Sequence, residues 1–320
     1  GYPPALANVE GVGINLNLQK VKLVNLVPKE FVAQGSVMMN KARFGDLSLN
    51  NFKQNAQITE TDPSLAKLTF SAVAGNAQFR HPKWGTMGTD LKVEGSAAGN
   101  LAAGNLDTFK MTLGAGTFLN ASVQGQARDF GKKDFQADHF LNLNLESFLK
   151  SIPAGALKQT GLSAIKGVAG IDVHIQGTLN ENFRADSALL KANMKLDGVD
   201  VQLANPSLAV KDFNLKTTFP AEYSASQGIK IQAFDLNARI KKIQAADNLE
   251  AGSVELHSLM TVAKPFLPTD SVIPFKHHAK LTVDSVKSPK AEASVAGLVL
   301  DADLRGDFSP AEKNARNVKW

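Results

Sequence analysis

Apolar residues recur at every second position along most of the chain, the pattern of strands that bury one face. Ile14, Leu16 and Leu18 alternate with Asn15, Asn17 and Gln19. Val21 and Leu23 continue on the opposite parity, so a bulge or break is expected near Gln19-Lys20. The alternation returns at Leu68/Phe70/Ala72, Leu91/Val93, Phe109/Met111/Leu113 and Leu141/Leu143/Leu145. It continues at Ile171/Val173/Ile175, Val199/Val201/Leu203, Phe213/Leu215, Ile229/Ile231 and Leu236/Ala238/Ile240. Phe275/Ala279/Leu281/Val283 and Leu298/Leu300/Leu304 close the series. Gly, Asn, Asp and Pro separate these runs at about 8 to 15 residues, the spacing of consecutive antiparallel strands. The pattern predicts an all-β chain of about sixteen to eighteen strands.

A few segments depart from it. Between Glu146 and Gly167, Phe148, Leu149 and Ile152 sit at helical spacing, Pro153 ends that turn, and Leu157 starts another before Gly161. Ser309-Pro310-Ala311-Glu312 reads as an N-cap followed by Pro at the first helical position, which predicts a short terminal helix. Lys264 to Phe275 carries Pro265, Pro268 and Pro274 and is expected to be a connection or an edge crossover.

Asn, Gln, Asp, Lys and Thr fill the polar positions of the strands, and Leu, Val, Ile, Phe and Ala fill the apolar ones. Successive hairpins of this kind carry one continuous apolar face. A second sheet covers such a face in a sandwich, and closure covers it in a barrel. A third solution leaves it lining a long groove filled by something else. Sixteen strands at about 4.8 Å would extend roughly 75 Å. An apolar surface of that extent is far beyond the few hundred Å² that monomers usually leave open, so the third solution implies a hydrophobic cargo.

Composition narrows the classes. With 320 residues, 43 % hydrophobic and 20 % charged, the chain has room for one large or two ordinary domains and is not a disordered polymer. Its aromatic residues are 18 Phe beside 2 Trp and 2 Tyr, which argues against a stacking platform for bases or sugars. A net charge of +5 is mild at this length, and Lys132-Lys133 and Lys241-Lys242 are doublets without interleaved aromatics, so no nucleic-acid partner is expected. Cysteine is absent, which excludes disulfides, thiolate metal sites and a Cys nucleophile, and leans toward a periplasmic setting. No stretch approaches the roughly 20 apolar residues of a membrane-spanning helix. The start, Gly1-Tyr2-Pro3-Pro4, has no signal-peptide pattern, and a processed piece of something longer is the expectation.

Catalytic chemistry is sparse. His81, His139, His174, His257, His277 and His278 form no metal-spaced set, and the adjacent His277 and His278 would point to opposite faces of a strand. Two SxxK matches, Ser147 to Lys150 and Ser163 to Lys166, would each place a Ser near its Lys on a helix, but their companion elements are missing. Gly114-Ala115-Gly116 reads as a turn rather than a phosphate loop. Neither an enzyme nor a cofactor is expected.

The central region carries a family resemblance. Leu141 to Pro153 is a strand running into a short apolar helix, with Leu145, Phe148-Leu149 and Ile152-Pro153 as its marked positions. Gly170, Ile171, Val173, Ile175, Gly177 and Leu179 then form an alternating strand ending in Gly-Thr-Leu. Gly198-Val199 with Val201, and Val210, Asp212, Phe213 and Leu215, complete the order. Over about residues 95–220 this resembles the AsmA-like superfamily, which includes the TamB and YhdP groups. The resemblance implies a long, mostly antiparallel curved sheet forming an elongated β-groove, taco-like in section, with one or two short helices. It further implies a periplasmic protein, held at the inner membrane by an anchor outside this chain, that conveys phospholipid or another acyl lipid toward the outer membrane. On this reading residues 1–145 and 168–320 are two portions of one continuous groove, joined by a helical insertion at 146–167. The central strands would line it with Leu143, Leu145, Val173, Ile175, Val199, Val201, Leu203, Phe213 and Leu215. The alternative is a structural or assembly factor for outer-membrane proteins, of the TamB type, whose apolar face is ordinary closed core and whose strand edges meet an outer-membrane protein partner.

Overall fold

Strands form wherever the alternation is unbroken. A computed structural model describes residues 8–24, 27–44, 46–62, 65–81, 85–100, 105–128, 134–155, 157, 161–180, 185–204, 206–226, 228–245, 249–266, 273–309 and 314–319. The chain divides into two compact units, Gly1–Leu143 with Ser147–Gln159, and Asn144–Glu146 with Thr160–Trp320.

In the first unit β1 (Asn8–Val24), β2 (Val27–Phe44), β3 (Leu47–Asp62) and β4 (Leu65–His81) are followed by β5 (Gly85–Gly99), β6 (Leu106–Ala115), β7 (Leu119–Arg128) and β8 (Asp134–Asn144). Each pairs antiparallel with the next, giving an uninterrupted meander. The register slips between Leu18 and Lys20, where the change of parity in the sequence placed a bulge.

The second unit repeats the arrangement with β9 (Leu162–Leu179), β10 (Ala185–Leu203), β11 (Leu208–Ser224) and β12 (Gly228–Ala245). The short β13 (Leu249–Ala251) and the longer β14 (Val254–Phe266) follow one another in a single slot between β12 and β15 (Ile273–Ser288). A 3-10 turn at Pro289–Ala291 leads to β16 (Ala293–Ser309), and β17 (Asn314–Lys319) covers only the far end of β16. The fold is all-β and antiparallel, with a short helix and further helical residues at 154, 155 and 157.

That helix, α1 (Leu145–Ser151), is much shorter than the stretch to Gly167 that the sequence suggested. Ser151 Oγ donates to the Phe148 carbonyl at 2.7 Å, and Pro153 follows without an N–H to prolong the turn. Leu162 to Gly167 is strand instead, because it finds a partner: Leu162 lies opposite Leu203 and Ile165 opposite Val201. Ser163 and Lys166 therefore lie on a strand, which removes the second SxxK arrangement. Leu145 opens the helix rather than extending the strand of Leu141 and Leu143. Pro265 and Pro274 fall near strand ends, with 267–272 outside the described residues. The expected terminal helix lies largely outside them too, since Ser309 ends β16 and 310–313 are not described.

Among the described residues the buried apolar side chains are Ala42, Ala74, Ala77, Ala115, Ala137, Val199 and Ala221, and no large side chain is fully buried. A sandwich buries Leu, Ile and Phe between its layers. Within each unit the Leu, Ile and Phe side chains of the alternating strands instead stay half-covered or exposed.

Candidate functional site

In an antiparallel sheet, directly opposed residues share a face, so registers reveal what each face carries. In the first unit one row runs through Val12, Met39, Phe52, Ala74, Leu91, Ala115, Leu119 and Leu143, one residue from each strand. In the second unit Val199, Phe213, Ile240, Val254, Val283 and Leu298 form one row. Leu196, Leu215, Ala238, Leu256, Leu281 and Leu300 form the next. Six strands in the second unit and eight in the first thus contribute to rows that stay apolar from side to side.

Keeping the rows apolar requires the strands to change parity together. At Leu196-Asp197-Gly198-Val199, Val210-Lys211-Asp212-Phe213, Ile240-Lys241-Lys242-Ile243 and Val283-Asp284-Ser285-Val286, two polar or small residues stand where alternation allows one. These doublets adjoin one another across the sheet: Phe213 lies opposite Val199 and Ile240, and Val210 opposite Val201 and Ile243. The first unit does the same at Val9-Glu10-Gly11-Val12, Leu49-Asn50-Asn51-Phe52 and Ala74-Gly75-Asn76-Ala77. The backbone departs from ordinary strand geometry there, with φ of +56° at Gly198, +51° at Asp212 and +52° at Asn51. A crease across the strands is the result, and the apolar residues emerge on the same side beyond it.

Polar contacts hold the crease from the other side. The Asp212 N–H donates to Asp200 Oδ1 at 2.9 Å, Lys211 Nζ donates to Asp200 Oδ2 at 3.2 Å, and the Gly198 N–H donates to Asn214 Oδ1 at 2.9 Å. The Asp212 backbone bond holds the Asp200 carboxyl below its ordinary range; Lys211 adds to this, and partial burial opposes it. Hydrogen bonds from Gln244 and Lys242 lower that of Glu250 likewise.

The sequence-derived lining residues fall as follows. Leu143 lies in the first unit's row, while Leu145 has left the sheet for α1. Val173 lies opposite Ala192, Ile175 opposite Leu190, Val201 opposite Ile165 and Leu203 opposite Leu208, all on the face that carries Val199, Phe213 and Leu215. Only Val199 is buried, at 3 % exposure; the others are half-covered. His277 and His278 do point to opposite faces, towards Ser258 and Asp303 respectively.

Three hollows lined by described residues lie on the polar face. One in the second unit, of about 960 Å³, is walled by Lys191, Lys195, Lys216, Arg239, His257 and Lys280 together with Asp172, Asp197 and Glu255, and Leu215 borders it. Lys195 lies directly opposite Lys216. A second hollow of about 600 Å³ sits at the crease beside Asp200, Lys211, Asp212 and Glu250. In the first unit, Asn15, Gln34, Asn55 and Gln57 help to line one of about 470 Å³. Among the described residues no cluster of three or more His, Asp or Glu has metal-binding geometry.

Sequence reasoning missed the crease. Its signal was present as polar or small doublets between apolar residues three apart, including the Lys241-Lys242 pair. No protein-family model matches the chain, and neither a curated protein nor a solved structure matches it significantly.

Proposed function

We propose that the chain binds acyl lipid along the apolar face of its sheets, as a periplasmic phospholipid carrier or bridge of the AsmA-like kind that its sequence resembles. One observation carries the reading: apolar rows run unbroken across the strands, yet no large apolar side chain among the described residues is fully buried. Leaving such a surface in water costs about 25 cal/mol per Å², and an acyl chain laid against it removes water from both partners. The two rows stay apolar across six strands, which suits an extended acyl chain, and the neighbouring row adds Thr217 and the hydrogen-bonded Ser258–His277 pair as polar points on the same face. The closed-core alternative would need Leu, Ile and Phe packed away from water, and the burial pattern gives it no support.

Native mass spectrometry of the purified chain is expected to find co-purified phospholipid. Leu215→Arg places a cation in the strip where it can still keep water, so the variant is expected to stay folded and lose the lipid. A folded Leu215→Arg protein with undiminished lipid, or a wild-type chain that takes up none from vesicles, would overturn the proposal.

A further inference from the structure

Among the described residues the only strand in register with β1 is β2, so the other edge of β1 has no described partner. Its apolar residues are correspondingly bare, with Val12 55 %, Ile14 68 %, Leu16 81 % and Leu18 70 % exposed. Natural edge strands are guarded by charges, prolines or shortness. β1 is 17 residues long, and between Glu10 and Lys20 it holds neither a charge nor a proline. In the second unit β16, which β17 covers only from Arg305 to Ser309, carries such guards in Asp301 and Asp303 along the rest of its length.

We infer that β1 is a self-association edge, pairing antiparallel with β1 of a second copy about a twofold axis at Asn15. The sequence of the strand selects that register. Centred on Asn15, Ile14 lies opposite Leu16 and Val12 opposite Leu18, so every apolar residue meets another. Gly13 then opposes Asn17, and Glu10 opposes Lys20, placing opposite charges at both ends of the pairing. Sliding by two residues sets Val12 against Lys20 one way and Leu18 against Glu10 the other. Sliding by one sets apolar against polar throughout. The centred arrangement also extends the apolar rows of the first unit from one copy into the next, and satisfies the outward N–H and C=O groups of both edges.

The test uses the whole chain. Sedimentation equilibrium is expected to give a reversible dimer of the 34.1 kDa protein. Because the sequence contains no cysteine, Asn15→Cys carries the only thiol. Directly opposed side chains in such a pair stand about 5 Å apart at Cβ, so mild oxidation is expected to cross-link this variant as a dimer. Asn17→Cys is the control: its thiols would lie four residues apart along the strands, about 14 Å, and it is expected to remain uncross-linked. Leu16→Lys, at a side chain already exposed in the single copy, is expected to abolish the dimer while leaving the circular dichroism spectrum unchanged. A chain that stays monomeric at every concentration, open-ended polymers in which β1 meets β16 of the next copy, or equal cross-linking through residues 15 and 17 would each overturn the inference.

Discussion

Gly167 shows how closely the strands approach at the crease. Its φ is +102°, and a Cβ placed there would stand 2.8 Å from the Gly198 carbonyl oxygen and from the Val199 Cα. Both the backbone conformation and the space require glycine. Gly167→Ala is expected to destabilise the second unit by about 1–3 kcal/mol in urea titration, whereas Ser163→Ala, which loses only an exposed hydrogen bond to the Gln202 carbonyl, should cost less than about 1 kcal/mol. Asp200 makes a different contribution. Its folded pKa lies below the ordinary 3.8, so ionisation favours the folded state; that stabilisation is complete above the ordinary value and fades as pH falls through the depressed one. Asp200→Asn, which keeps an acceptor for the Asp212 N–H, is expected to melt below the wild type at neutral pH. The gap should close as the pH is taken well below 4, and a gap that persists in acid would mean the lost stability is not electrostatic. Val199 and its neighbours were legible as one face because alternation is local. That Val199 alone of the named lining residues would be buried was not legible, since the strand that closes on its backbone, at Gly167, comes some thirty residues earlier.

The strands themselves were largely readable, and the places where reading failed share a cause. Residues Leu162 to Gly167 are ambiguous in isolation, and pairing with Val201 to Leu203 decides them. The helical pattern ahead of them survives in α1, where the Phe148 ring meets Phe118 edge-on at 5.7 Å between centroids, and in a second turn after Pro153, where the Leu157 N–H donates to the Pro153 carbonyl at 3.3 Å. The crease was readable in principle, because Leu196-Asp197-Gly198-Val199 and Ile240-Lys241-Lys242-Ile243 break the period of two in the same way. A single doublet looks like noise, however, and only the registers reveal that the doublets adjoin one another. This gives Lys241-Lys242 a structural role, to hold Ala238 and Ile240 on one side of the crease and Ile243 and Ala245 on the other with a common face. Deleting Lys241 leaves β12 one residue short against β11, so that with the crease kept Gln244 replaces Ile243 opposite Val210 and Ile243 turns to the polar side. The deletion is expected to lower the melting temperature sharply, while Lys241→Ala leaves it nearly unchanged. Equal melting of the two variants would show that the doublet does not set the parity of β12.

Two surfaces of opposite character compete for any amphiphile that meets the protein. The apolar rows would hold acyl chains, and the hollow whose four lysines and Arg239 outnumber Asp172, Asp197 and Glu255 would attract anionic head groups, a pull that the net charge of +5 reinforces. Their dependences on ligand and solvent differ. Burial of hydrocarbon contributes about 0.8 kcal/mol per methylene, so adding two carbons to a single-chain phospholipid should tighten binding roughly tenfold if the chain lies on the apolar rows. The same contact is strengthened by sulfate and is indifferent to head-group charge. Attraction to the lysines would instead follow the head group, ignore chain length and weaken as the Debye length shrinks from about 10 Å at 0.1 M salt to about 3 Å at 1 M. Titration of zwitterionic and anionic lysolipids of increasing chain length, at low and high salt, separates the two. The lipid-carrier reading requires affinity to climb with chain length for both head groups and to survive high salt. Affinity that tracks only the anionic head group and collapses in salt would assign the binding to the polar hollow and remove the apolar face from the mechanism.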